Sequence, residues 1–220
     1  MELIYILIAV IFIGILVAKP LYKKLSHKSL YPLLPEVYNF KRRRNSFRLT
    51  MQLLEERGAK MLVETGVARK GLKNTKYDGA STIVFGLWAS QHGAVLHSVD
   101  IDPSAIDEAR KEISLNGLES VVHLNVSDSV TFLQQFPDSV DFLYLDSYDY
   151  PKHDPVGQKA SREHHLKEIK SIEKRLHQKT LILIDDCDKP GGGKGKLVID
   201  YLKPKGWKEI YKGYQVLMSM

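Results

Sequence analysis

Three aspartates close two apolar runs. Asp146 ends "VDFLYLD", and Asp185 and Asp186 end "TLILIDD". If both runs are parallel strands side by side, three carboxylates converge on one point, where their repulsion is costly unless a cation or protons neutralise it. A hard divalent cation, Mg²⁺, is the economical answer, because magnesium keeps waters that substrate oxygens can displace. The plain alternative is a pair of solvated acidic loop ends; convergence from two separate strands favours the functional reading. Asp149, three residues beyond Asp146, and His153 are candidate general bases, each of which is also an ordinary polar loop residue.

A second set of residues suits a nucleotide-like ligand. Glu64-Thr65-Gly66 ends one apolar run, and after the long loop "VARKGLKNTKYDG" a helix opens at Ala80-Ser81-Thr82. Gly66 and Gly79 allow a ligand close to the backbone, and the amides around Ser81 can donate to a carboxylate or phosphate. Asp100 ends the next apolar run, where an acidic residue meets a ribose hydroxyl pair. Asp102, just before Pro103, reads as a helix cap. Asp128 reads equally as a cap or as a partner for an adenine amino group.

These residues need elements to hold them. From Ser46 onward, helical stretches alternate with short runs that are apolar on both faces, as parallel strands covered by helices must be. "FRLTMQLLEERG", "ASTIVFGLWASQHG" and "PSAIDEARKEISLNG" read as helices, followed by helical stretches from Ser129 and from Gln158. "MLVET", "VLHSVD", "VVHLNV", "VDFLYLD" and "TLILIDD" read as strands. In "GWKEIYKGYQVLMSM" two strand-like runs meet around Lys212 and Gly213, so the last strand returns antiparallel. The order predicts a doubly wound α/β sheet with a terminal antiparallel hairpin, which binds ligands beyond the carboxyl ends of its parallel strands. Every acidic residue named above lies at that end.

The chain of 220 residues suits one domain with an appendage. Its charge of +6 would raise nucleic acid as a partner, but much of the positive charge follows an uncharged segment, Leu3 to Ala18. Those residues span roughly 24 Å as a helix, against a hydrocarbon core of ~30 Å. The reading is a single N-terminal transmembrane helix over 1–19, a basic juxtamembrane linker over 20–45 and a catalytic domain over 46–220. The lysines and arginines after Ala18 place that domain on the cytoplasmic side. A buried soluble helix is the alternative. The partners expected are the membrane and a small-molecule, lipid-linked or glycan hydroxyl acceptor, with no nucleic acid; the oligomeric state stays open. The lone Cys187 reads as a buried, inert thiol.

Taken in order, Glu64-Thr65-Gly66, "DGAST", "VDIDP", "YLDSYDY" and "LILIDD" resemble the motifs of class I S-adenosylmethionine-dependent methyltransferases, over roughly residues 46 to 220. The three aspartates resemble those of metal-dependent O-methyltransferases of the catechol and macrolide-sugar type. The resemblance implies a Rossmann-like seven-stranded sheet, S-adenosylmethionine and Mg²⁺ as cofactors, and methyl transfer to a hydroxyl oxygen. By it, Glu64 and Gly66 face the methionine part of the cofactor, Asp100 the ribose, Asp128 the adenine, and Asp146, Asp185 and Asp186 the metal. Catechol-type enzymes carry a lysine where this chain has Asp149 and an asparagine where it has Asp186; Asp149 becomes the first candidate base and His153 the second.

Three rivals remain. A P-loop enzyme needs GxxxxGK followed by Ser or Thr, but "GGGKGK" is one residue short between Gly191 and Gly195, and Leu197 replaces the hydroxyl. On this reading Gly191 to Gly193 form a flexible turn carrying Lys194 and Lys196 into the next helix. A nicotinamide-dependent dehydrogenase shares Asp100 but leaves the three aspartates unexplained. A non-catalytic membrane scaffold would have no reason to keep the carboxylate set.

Overall fold

The structure, a computed structural model, describes residues 28–220. The apolar segment read as a membrane anchor lies outside the described residues, among which no helix is long and apolar enough to cross a membrane.

Alternating helices and strands wind into one seven-stranded sheet. The chain runs α1 (Arg44–Arg57), β1 (Met61–Thr65), α2 (Ser81–His92), β2 (Val95–Asp100), α3 (Pro103–Leu115), β3 (Val122–Val126), α4 (Ser129–Gln135) and β4 (Val140–Leu145). It continues through α5 (Pro155–Ile172), β5 (Leu176–Ile184), α6 (Lys196–Leu202), β6 (Lys208–Lys212) and β7 (Val216–Ser219). The strand order is β3-β2-β1-β4-β5-β7-β6. The first five strands are parallel, whereas β7 runs antiparallel to both β5 and β6. The doubly wound sheet and its returning hairpin are therefore as expected. α5 begins three residues before Gln158, because Asp154 caps it and Pro155 takes its first turn.

Side-chain parity along the central strands builds two cores. Leu62, Phe142, Tyr144, Leu181 and Leu183 face α1 and α2, where Phe47, Phe85 and Trp88 pack on them. Their neighbours Val63, Leu143, Leu145, Ile182 and Ile184 face the other way, against Leu133 of α4, Ile169 and Ile172 of α5 and Val198 and Leu202 of α6. Strands covered on both faces read as unbroken apolar runs for this reason.

The boundary at Ser46 needs correction. Leu30, Leu34 and Phe40 are buried in the first core, and the Phe40 ring lies edge-on to Phe47 at 6.2 Å between centroids. The segment from Leu30 to Arg43 is thus part of the packed domain rather than linker. Pro32, Pro35 and the absence of a periodic pattern concealed this, since isolated apolar anchors on irregular backbone have no period to detect. If Phe40 is core, Phe40→Ala costs about 3–5 kcal/mol in chemical denaturation. A linker position would change stability by no more than about 0.5 kcal/mol.

Candidate active site

The carboxyl ends of β1, β2, β4 and β5 open onto two cavities of about 270 Å³ each, and Gly66, Asp100 and Ser147 line both. The first is polar, with Arg43, Tyr77, Asp78, Ser81, Asp146, Asp149, Asp185, Asp186, Lys189, Lys194 and Tyr214 in its wall. The second is walled by Val99, Ile101, Asp128, Ser129, Tyr148 and His164.

Gly66 makes the junction possible. Its φ of +83° suits glycine, and a Cβ there would lie 2.6 Å from the carbonyl oxygen of Asp146. Asp100 is fixed at the β2 tip, where Oδ2 accepts from the Val67 amide at 3.2 Å and Oδ1 from the Asp102 amide at 2.9 Å. Asp102 caps α3 through the Ser104 amide. Asp128 caps α4, accepting from the Thr131 amide and hydroxyl at 2.9 Å each, and also lines the second cavity. The two readings of Asp128 do not compete.

Glu64 lies behind the polar cavity instead of in its wall. Its Oε2 accepts from Ser98 at 2.6 Å and Thr82 at 2.8 Å, while Oε1 is buried without a hydrogen-bond partner. Burial pushes its carboxyl up to about 7, the hydrogen bonds pulling only part of the way back. Gly79 also stands outside both cavities: a Cβ there would meet Arg43 Cδ at 2.7 Å, so this glycine makes room for an arginine. Ser81 lines the polar cavity at the start of α2. Asp149 lines it too, whereas His153 is exposed and borders neither cavity.

Asp146, Asp185 and Asp186 do converge, but their neutralisation differs from the expected Mg²⁺ clamp. The Arg43 guanidinium grips Asp185 with two prongs, Nε to Oδ1 at 3.1 Å and Nη2 to Oδ2 at 2.7 Å. Gln215 and Tyr214 complete the shell at 2.7 and 3.1 Å, so both oxygens of this buried carboxylate are taken. Arg43 and Lys194 hold Asp185 below the usual carboxylate range despite its burial. The ammonium of Lys194, itself buried, sits 2.5 Å from Asp146 Oδ1 and 3.9 Å from Asp186 Oδ2. Tyr144 donates to the other Asp146 oxygen at 3.3 Å. Asp186 Oδ1 is buried without a hydrogen-bond partner, and Lys189 Nζ stands 3.5 Å from it.

This donor set does not fit Mg²⁺. Both Asp185 oxygens are taken by Arg43, Gln215 and Tyr214, and the Lys194 ammonium already stands between Asp146 and Asp186, so the chain's own cations occupy the position a divalent ion would need. Among the described residues, no group of three His, Cys, Asp or Glu side chains is arranged to hold a metal.

Arg43 and Lys194 are the site residues that the sequence reading missed. Arg43 lies in the segment that the sequence reads as linker, and Lys194 reads from sequence as a passenger on a flexible turn. The turn is in fact anchored: Arg162 donates to the Gly193 carbonyl at 3.3 Å and to that of Pro190 at 2.9 Å. The available signal was a lysine eight residues after an acidic strand end, with glycines on both sides. His164 and His165 lie in the middle of α5. His165 is fully buried, and His164 Nε2 lies 2.9 Å from Ser129 Oγ in the wall of the second cavity. Cys187 is buried and free, and burial raises its thiol pKa.

The arrangement joins a polar, charge-lined cavity to one walled in part by Val99, Ile101 and Tyr148. The comparisons point to one class of protein. The family described as "Methyltransferase domain" matches residues 76–187, just over half of the chain, and the chain belongs to it. No curated protein matches. Solved structures share the fold. The methyltransferase PaMTH1 of Podospora anserina, bound to SAH, is 13% identical with a TM-score of 0.58, covering 80% of this chain and 78% of its own. The O-methyltransferase TomG of Streptomyces achromogenes, involved in tomaymycin synthesis and solved with SAM, is 14% identical with a TM-score of 0.56, covering 93% and 96%. A methyltransferase from Geobacter sulfurreducens is 17% identical with a TM-score of 0.54, covering 80% and 77%.

Two measurements test these electrostatics. Arg43→Met leaves Asp185 buried and unpaired and is expected to cost about 3–5 kcal/mol of stability, much of it regained in the Arg43→Met/Asp185→Asn double variant. For Glu64, the folded protein keeps a proton between pH 4.5 and about 7 that the unfolded chain has lost, so its stability falls as pH rises through that window. Glu64→Gln should match the native protein near pH 4 and exceed it at pH 8 by on the order of 3 kcal/mol.

Proposed function

We propose that the protein transfers a methyl group from S-adenosylmethionine to a hydroxyl oxygen. The observation that carries this reading is the pair of cavities joined at Gly66, Asp100 and Ser147. A nucleoside laid across that junction puts its ribose hydroxyls on Asp100, its base between Ile101 and Tyr148 near Asp128, and its charged sulfur side in the polar cavity. SAM and SAH occupy the structures of TomG and PaMTH1, which supports the choice of cofactor.

The transfer is a single displacement. The acceptor oxygen attacks the methyl carbon, the bond from carbon to sulfonium breaks, and sulfur takes the electron pair to leave a neutral thioether. The hydroxyl proton must leave, and Asp149 is the carboxylate in the cavity wall assigned to receive it. Holding oxygen, carbon and sulfur in line supplies most of the rate, since methyl transfer needs little besides alignment and charge stabilisation. No step requires a metal.

Membrane attachment belongs to the same proposal and rests on the uncharged Leu3–Ala18 segment and the basic residues after it. It would place a phenolic, lipid-linked or glycan acceptor near the bilayer.

Calorimetry of the full chain with S-adenosylmethionine decides the central point. One molecule binds per chain, and Asp100→Ala weakens binding by about 10-fold to 150-fold, the loss expected for a hydrogen bond to a charged group. Absence of any binding heat, with the protein folded, would sink the reading.

A further inference from the structure

We infer that Lys194 is the site's resident counter-cation, standing where a metal-dependent enzyme of this kind would hold its divalent ion. The inference rests on the methyltransferase reading for its chemistry, but on the side chains alone for its geometry.

Three carboxylates at one point require positive charge, and a protein can supply it from solution or from its own chain. Here the chain supplies it twice. Arg43 reaches over from the segment before α1 and saturates Asp185 together with Gln215 and Tyr214. Lys194 enters from the opposite side, on the turn after β5, and places its ammonium between Asp146 and Asp186. A surface lysine would rest with its head in water, yet this one is almost fully buried along its length and ends in the cavity wall.

The backbone enforces that path. At Gly193, φ is +57°, and a Cβ would lie 1.7 Å from the Asp186 carbonyl oxygen, so only glycine lets the turn close on the strand end. The next residue is Lys194, whose own amide points to the same carbonyl at 3.4 Å. Arg162 clamps the turn from α5 through the Gly193 carbonyl. A flexible substrate loop needs none of these contacts.

The consequence for the reaction is specific. An ammonium beside the acceptor oxygen stabilises the charge that grows as its proton leaves, which is one service a Lewis acid renders. Unlike an ion with several open positions, it does not require two oxygens on one acceptor. A lone hydroxyl suffices.

The test uses the full chain in detergent and follows Mn²⁺ by electron paramagnetic resonance, a readout independent of turnover. The native protein should bind no stoichiometric Mn²⁺ at the aspartates across the titrated range, and Lys194→Ala should bind one ion per chain at Mn²⁺ concentrations at least tenfold below the top of that range. If Lys194→Ala proves unfolded, Lys194→Gln takes its place. A stoichiometric Mn²⁺ in the native protein that disappears in Asp146→Asn would overturn the inference. So would a folded lysine variant as indifferent to Mn²⁺ as the native chain. A parallel titration with S-adenosylhomocysteine separates the two proposals: failure there removes the methyltransferase reading and leaves the cation result standing.

Discussion

The structure turns on how several carboxylates are kept together at the tips of a parallel sheet. Parallel strands covered on both faces must carry their polar residues at their ends, so the order of the sheet brings Asp100, Asp146, Asp185 and Asp186 to one edge. Left bare, such a cluster would take up protons or drive the strands apart. Arg43 keeps Asp185 ionised, Lys194 offsets only part of the burial and the Asp185 repulsion that push the Asp146 carboxyl up to about 7, and each cation recruits a piece of chain that would otherwise be peripheral. The segment from Leu30 to Arg43 is pulled onto the core, and the glycine turn after β5 is drawn into the cavity.

The two halves of the site follow different physics. The second cavity takes its character from Val99, Ile101 and Tyr148 and suits a flat, weakly polar group. In the polar cavity, fixed charges are already paired before any ligand arrives. Such pre-arranged charge stabilises a transition state well, because it need not reorganise as the reaction proceeds. The returning β7 contributes as well: Gln215 lies just before it, and Gln215 and Tyr214 reach Asp185 only because β7 runs antiparallel beside β5.

Glu64 shows how a motif position can be read correctly in place and differently in contact. Its position at the end of β1 follows from the apolar run before it. Whether it faces the ligand or supports the wall depends on Ser98 and Thr82, which lie on other elements and give Oε2 its partners. A carboxyl buried in this way costs stability once ionised, and proteins keep such groups where function requires them.

The sequence by itself determined the sheet, the order of elements and the convergence of acidic residues, because these follow from periodicity, caps and strand ends, all local signals. It also singled out Gly66, Ser81, Asp100, Asp128, Asp146, Asp149, Asp185 and Asp186, all of which line the two cavities. It could not decide what neutralises the aspartates. Arg43 lies 142 residues from Asp185, and Lys194 lies 48 from Asp146, separations that no periodic pattern spans. The same holds for Gly79, whose service to Arg43 is visible only once the two side chains are packed, and for His153, which the fold leaves in solvent. Charge neutralisation is a property of distance in three dimensions, and only the folded chain sets that distance.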